Sequence, residues 1–195
     1  MKFVVGLFVA LNIYVLTACS IGGQSNPSYF YMLESTSSPV TNKNLSEQSI
    51  GVGPIKIPGY IDRPQIVTKT TTAEIQLADF DRWAEPMGSM ITRTLASNIT
   101  ALTGSNFIHT HPWSPNASFN YQIAANIINL ENNEAGDALL IVHWKLINKN
   151  KESNVQTSHS EYRAAASDLG YAARVAALND VLAQFSKEII RHIPQ

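Results

Sequence analysis

An apolar run at the amino terminus ends at the only cysteine of the 195-residue chain. Residues 3–16 are almost entirely apolar, follow Lys2, and lead directly into Thr17-Ala18-Cys19. A transmembrane helix needs about 20 apolar residues, so this run is short for spanning a bilayer. A positive start, an apolar stretch and small residues before a cleavage point are typical of a secretory signal peptide. We therefore expect residues 1–18 to be removed before the chain folds.

The end of this run, Leu16-Thr17-Ala18-Cys19, resembles the bacterial lipobox, in which the cysteine thiol is acylated before cleavage makes it the first residue. A buried cysteine behind an ordinary signal peptide is the alternative. Acyl chains contribute about 0.8 kcal/mol per buried methylene, and several chains together anchor a protein stably. We predict that Cys19 is the lipidation site. Because Ser20 rather than an aspartate follows it, the lipoprotein sorting rule favours the outer membrane, with the domain facing the periplasm.

Composition narrows the function classes. One cysteine cannot form an intramolecular disulfide or a multi-thiolate metal site. Removal of residues 1–18 takes away one lysine and no acid, which leaves 13 basic against 15 acidic side chains. A chain so close to neutral has no general attraction for nucleic acid. Residues 19–28 are expected to form the lipidated cysteine and a flexible tether, because small and polar types dominate there.

Residue patterning predicts a single α/β domain over residues 29–195. Short runs of apolar, aromatic or β-branched residues bounded by turn residues indicate short strands. Alternating apolar side chains indicate longer strands that return on each other as a meander. The short strands are expected near residues 29–33, 50–57, 65–70 and 74–78, and the meander strands near 119–127, 138–147 and 155–162.

Two long helices complete the predicted fold. Apolar residues recur about every four positions between Pro86 and Gly104. Proline is favoured at the start of a helix and glycine just after its end, so this segment is predicted to be a helix. A second apolar stripe predicts a helix over about 168–193, with Asp168 as its amino-terminal cap. The expected architecture is therefore a mixed β-sheet of about six or seven strands with two long helices packed on it.

Few side chains are arranged for catalysis. His109 and His111 lie on one side of an extended segment, but a metal site needs three or four ligands, and prolines and a tryptophan follow instead. Asp79 and Asp81 could form a carboxylate pair, although Arg82 and the nearby helix start favour ion pairing. The chain contains no nucleophile elbow, P-loop or dinucleotide-binding motif. We predict no catalytic residue, no bound metal and no cofactor.

Two segments are rich in the side chains that favour protein interfaces. The first, residues 57–68, places Tyr and charged residues between prolines in a loop that joins two strands. The second, residues 79–86, places Arg and Trp just ahead of a helix. Arg, Tyr and Trp are enriched at interface hot spots. A buried aspartate–arginine brace from loop to helix is the alternative. The predicted partner or oligomer interface contains Tyr60, Asp62, Arg63, Arg82 and Trp83.

Behind a lipobox, these two segments resemble the ABC-type transport auxiliary lipoprotein family. The family pattern Pro-x-Tyr-hydrophobic-Asp-Arg-Pro-Gln-hydrophobic-Val is matched from Pro58 to Val67. The pattern Arg-Trp-Ala-Glu-Pro at the start of a helix is matched from Arg82 to Pro86. The order of elements agrees with the family from about Tyr29 onward.

The resemblance implies a role in transport. Family members are outer-membrane-tethered periplasmic partners of a machine in which an inner-membrane protein and a tunnel-forming MCE-domain protein carry lipid between membranes. The resemblance implies that the chain forms a homo-oligomeric ring and docks the outer end of the tunnel. No nucleic-acid partner is expected, because of the near-neutral charge described above. An independent envelope lipoprotein that binds a ligand or hydrolyses a substrate is the alternative. That role would need a deep pocket with perturbed titratable groups.

Replacing the lipobox cysteine tests the predicted anchor. A Cys19→Ser chain lacks the thiol that would be acylated, so we expect it to move from the membrane fraction to the soluble fraction. Cell fractionation followed by immunoblotting measures the shift. A Ser20→Ala chain keeps the thiol and should stay with the membranes. Retention of the Cys19→Ser chain in the membrane fraction would contradict the lipobox interpretation.

Overall fold

The computed structural model describes residues 26–39 and 45–194. The predicted signal peptide (residues 1–18), Cys19 and most of the predicted tether lie outside these residues. Within the described ranges the chain forms eight strands and two helices. The strands are β1 (Tyr29–Tyr31), β2 (Ile50–Lys56), β3 (Gln65–Lys69), β4 (Ile75–Trp83), β5 (Ile108–Thr110), β6 (Tyr121–Asn133), β7 (Ala138–Asn148) and β8 (Ser153–Ala164), and the helices are α1 (Met87–Thr103) and α2 (Tyr171–Arg191).

Strand β6 joins the two halves of the sheet. Along one edge it pairs antiparallel with β7, which pairs antiparallel with β8, so the predicted meander is confirmed. Along its other edge, β6 pairs parallel with β2 over its first half and parallel with β3 at residues 132–133. The remaining strands extend these branches: β5 pairs parallel with β2, β4 antiparallel with β3, and β1 parallel with β4. The sheet is therefore mixed, as predicted.

Both helices bury an apolar stripe against the sheet. On β7, alternate residues such as Val142 and Trp144 point inward and are buried, while their neighbours face solvent. The ring of Phe185 on α2 lies edge-on to the Trp144 ring, with 5.9 Å between centroids. Burial of one such side chain contributes about 1.5–3 kcal/mol. The predicted α/β fold, with two helices on one mixed sheet, is confirmed. Neither described helix is long and apolar enough to cross a membrane.

Strand β4 is longer than the sequence pattern indicates. The predicted strand ends at Ala78, but β4 continues to Trp83. Helix α1 begins at Met87, directly after Pro86, as the sequence pattern indicates. Two backbone hydrogen bonds hold the end of β4 extended: the N–H of Trp83 donates to the Pro64 carbonyl at 2.7 Å, and that of Ala84 to the Tyr31 carbonyl at 2.9 Å. Tertiary pairing therefore extends the strand beyond its sequence signal.

The start of the second helix also differs from the prediction. Helix α2 begins at Tyr171, and the predicted cap, Asp168, lies outside it. The Asp168 side chain instead accepts a hydrogen bond from the Gly170 N–H at 2.7 Å, which closes a turn ahead of the helix. The structure adds one strand to the seven listed from the sequence, the three-residue β5.

Two glycines of β2 allow side chains to approach the backbone closely. A Cβ at Gly51 would lie 2.9 Å from the ring of Phe119. A Cβ at Gly53 would lie 2.4 Å from the Cβ of His111, and Gly53 has a φ of +128°, which other residues rarely adopt. These glycines therefore let the segment that follows β5 pack directly over β2.

The close contact at Gly53 gives a stability prediction. Gly53→Ala introduces both a steric overlap and an unfavourable φ, so we expect the free energy of unfolding to fall by about 2 kcal/mol or more. The control is Gly59→Ala, because Gly59 is exposed with no atom within 4 Å of a built Cβ; its effect should stay within about 0.5 kcal/mol. Urea denaturation measures both, and equal stability of the two variants would contradict the packing argument.

Candidate functional site

The two segments singled out in the sequence are neighbours in the structure. Strands β3 and β4 pair antiparallel, and Gln65 lies opposite Arg82. The Trp83 N–H reaches the carbonyl of Pro64, as described above. Residues 57–68 and 79–86 therefore meet at one end of the sheet and form a single region of the surface.

Tyr60 is a packing residue of this region. Its hydroxyl donates to the Glu131 carboxylate at 2.6 Å, and Glu131 is only 4% exposed. The same carboxylate pairs with the Lys69 ammonium at 3.1 Å and accepts from the Asn129 amide at 3.2 Å. Burial and the hydrogen bond to Glu131 raise the pKa of Tyr60 above its ordinary value. The contact fixes the 57–68 loop to β6.

The charged residues of the region do not form the aspartate–arginine brace. Among the described residues, Asp62, Arg63, Asp81 and Arg82 make no ion pair with one another. Asp81 instead accepts from the Tyr31 hydroxyl at 2.8 Å. Arg63 and Arg82 are half-buried, and the Nε atom of each is buried without a hydrogen-bond partner. Two guanidinium groups are thus held at this end of the sheet without a described acceptor.

Trp83 and Glu85, in the second segment, lie in different environments. Trp83 is 5% exposed and belongs to the core, so its side chain offers almost no surface to a partner. Glu85, just ahead of α1, forms an ion pair with Arg93 on that helix. Of the predicted interface residues, Asp62 is exposed, Tyr60, Arg63 and Arg82 are half-buried, and Trp83 is buried.

Exposed aromatic residues lie directly beside Arg82. Phe30 pairs with Arg82 in the β1–β4 register, so these two side chains share one face, and Phe80 lies two residues before Arg82 on β4. Phe30 is 65% exposed and Phe80 is also exposed. We call Phe30, Phe80 and Arg82 the β1–β4 surface. The sequence analysis missed both phenylalanines, although aromatic residues in an edge strand are a usable signal.

His109 and His111, considered above as metal ligands, lie in an aromatic cluster. His111 packs edge-on to Trp113 at 5.1 Å between centroids, Trp113 packs on Phe119 at 4.8 Å, and His109 lies 6.3 Å from Phe119. Within the described ranges, no group of three or more His, Cys, Asp or Glu residues is placed to hold a metal ion. Two pockets, of about 640 and 500 Å³, lie away from these histidines and from Asp79.

Comparison with known proteins identifies the family. The family model of the ABC-type transport auxiliary lipoprotein component matches residues 31–190. The chain belongs to this family. The match covers both segments and every strand and helix from the end of β1 to the end of α2, and the family resemblance seen in the sequence is thereby confirmed. The family is one of transport auxiliary lipoproteins rather than a known enzyme family. No curated protein shows significant sequence similarity to the chain.

Solved structures support the fold of this auxiliary lipoprotein. A crystal structure of an uncharacterized protein matches with a TM-score of 0.69 and 17% identity, over 87% of this chain and 100% of that one. A Xanthomonas campestris protein of the DUF330 family matches with a TM-score of 0.69 and 18% identity, over 84% and 93%. A PelC dodecamer from Paraburkholderia phytofirmans matches with a TM-score of 0.44 and 12% identity, over 82% and 96%, which is too low for further argument.

The Tyr60 contact gives a pH-dependent prediction for this auxiliary lipoprotein. Tyr60→Phe leaves the buried Glu131 carboxylate with one donor fewer, so we expect the free energy of unfolding at neutral pH to fall by about 1–2 kcal/mol. The raised pKa means that the folded state keeps the Tyr60 proton when the unfolded state loses it, above pH 10.0. Stability should therefore decline as the pH rises above that value, and less steeply in the variant.

Urea denaturation at several pH values measures this difference. Tyr29→Phe is the control, because Tyr29 is exposed and its hydroxyl makes no hydrogen bond with a described residue. It should match the unmodified chain at every pH. A Tyr60→Phe variant as stable as the control at neutral pH would show that the contact to Glu131 does not stabilise the fold.

Proposed function

We propose that the protein is an outer-membrane-anchored periplasmic subunit of a PqiABC-like intermembrane lipid-transport system. In this role it oligomerises and docks the tunnel-forming MCE-domain partner at the outer membrane, while an inner-membrane partner holds the opposite end. The observation that carries the proposal is the family match over residues 31–190 behind a lipobox at Cys19. The family supplies the transport role, and the lipobox supplies the anchor.

The β1–β4 surface supports docking at this end of the sheet. Exposed aromatic residues beside an arginine have the composition of an interface core. The buried Nε atoms of Arg63 and Arg82 have no described acceptor, and an unsatisfied buried donor costs about 1–3 kcal/mol. Neither arginine side chain is fully buried, so a carboxylate from a partner would pair with the accessible part of each guanidinium. A contact between this surface and a different surface of a second copy would be heterologous, and such a contact forms a ring when the rotation between neighbouring copies closes.

The anchor segment suits the proposed geometry. Nine residues, 20–28, lie between Cys19 and β1, and all but Ile21 are small or polar. Fully extended, nine residues span about 30 Å. A domain tethered in this way can meet a partner that ends short of the membrane surface.

Introducing negative charge on the β1–β4 surface tests the proposal. In the acyl-free chain (residues 20–195), Phe30→Glu combined with Phe80→Glu should dissociate the oligomer and abolish capture of an MCE-domain partner, because two carboxylates would replace the apolar contact. Sedimentation velocity and co-purification from envelope extracts measure these effects.

The matched control is Phe107→Glu, which changes a 51% exposed phenylalanine outside the β1–β4 surface. It should assemble normally. An unmodified acyl-free chain that stays monomeric and captures no MCE-domain protein would overturn the proposed function. That result would favour the alternative of an independent envelope lipoprotein with ligand-binding or hydrolytic activity.

A further inference from the structure

The outer face of the sheet carries a pocket that the docking proposal does not use. It has a volume of about 640 Å³ and lies across β2, β6, β7 and β8, on the face opposite the helices. The alternation of each strand brings its solvent-facing side chains together there, while the intervening residues such as Trp144 point into the core. The polar side chains that line the pocket on this face are Lys56, Asn126, His143, Lys145, Thr157 and His159.

This pocket is locally cationic in a chain whose formal net charge is −1. No carboxylate lines it, and neither Lys56 nor Lys145 makes an ion pair with a described residue. The acid nearest along the strand is Glu161, two residues beyond His159, and Arg163 binds its carboxylate at 2.7 Å. The two lysines therefore have no described counter-charge, which favours an anionic ligand.

Neutral donors complete the site. His143 and His159 lie opposite each other on β7 and β8, with 4.4 Å between their ring centroids. Each imidazole can donate an N–H, Thr157 can donate its hydroxyl, and Asn126 can donate its amide hydrogens. Donors converging beside two ammonium groups suit the oxygens of a phosphate. The same lysines repel a metal cation, so the histidine pair is poorly placed for one.

Apolar side chains continue the pocket on the same face. Ile128 follows Asn126 by two residues on β6 and is 41% exposed. Ile141 precedes His143 by two residues on β7, is half-buried, and lies opposite Glu161 of β8, whose carboxylate is paired with Arg163. A phosphate alone would have no contact with these side chains, whereas a ligand with a hydrocarbon chain would cover them. The arrangement thus pairs an anion site with an apolar strip.

We propose that this pocket binds the phosphate of an anionic phospholipid, with an acyl chain lying along Ile128 and Ile141. The inference rests on the proposed transport function, because it names the class of lipid that this subunit would contact. Lys56 and Lys145 supply the charge that selects an anionic headgroup, and the histidine pair together with Asn126 and Thr157 orients its oxygens.

A soluble lipid tests the pocket directly. The acyl-free chain (residues 20–195) is titrated by NMR with dihexanoyl phosphatidylglycerol below its critical micelle concentration. We expect saturable shifts at the residues of the pocket, and roughly tenfold weaker binding after Lys56→Gln combined with Lys145→Gln. The matched control, Lys149→Gln with Lys151→Gln, removes two exposed lysines from the turn between β7 and β8 and should bind like the unmodified chain.

Other ligands identify what the site recognises. Inorganic phosphate and glycerol phosphate lack acyl chains, and dihexanoyl phosphatidylcholine lacks net charge, so each should bind more weakly. Equal binding of inorganic phosphate would overturn the lipid assignment in favour of a free anion. Absence of saturable binding, or an equal loss in the control pair, would overturn the site itself. Because the assay contains no partner, its failure is distinguishable from a failure to oligomerise or to capture an MCE-domain protein.

Discussion

The fold depends on one edge of β6 that serves two strands in succession. Backbone groups of a buried strand must be paired, and β6 meets this requirement with β2 along its first half and β3 at its end, while β7 occupies the whole opposite edge. The branch through β3 leads to β4 and β1, and the branch through β2 leads to β5. Because both branches start from the same strand, the β1–β4 surface and the cationic pocket have fixed positions relative to each other.

The periodicity of apolar residues and the positions of turn residues predict the individual strands and helices of this fold. The meander of β6, β7 and β8 and both helices follow from patterns of two and of about four residues. Most of their boundaries fall within a few positions of the predicted ones, but β6 continues to Asn133, beyond its predicted end at residue 127. The parallel pairings and the extension of β4 do not follow from such patterns. They depend on contacts such as the one from Trp83 to Pro64, between residues far apart in the sequence. Local propensity carries no information about which distant strand will be adjacent.

The candidate site shows the same division. Unusual composition singles out residues 57–68 and 79–86, and the structure places them side by side. Composition alone cannot indicate that the Trp83 side chain is buried in the core while Phe30 remains exposed, because that depends on the register of β1 with β4. The burial of Glu131 is equally unpredictable from the sequence, because it depends on the contacts that Tyr60 and Lys69 make with its carboxylate. The cationic pocket draws ordinary residues from four strands.

The three-residue strand β1 has a mechanical consequence. It is the first element of the described chain, so residues 26–28 lead from the side of Cys19 directly into its pairing with β4. With lipid on Cys19, any tension between membrane and domain would act first on this short ladder rather than on the core. The same strand borders the proposed docking surface. Load on the tether and engagement of a partner would therefore meet at the same edge of the sheet.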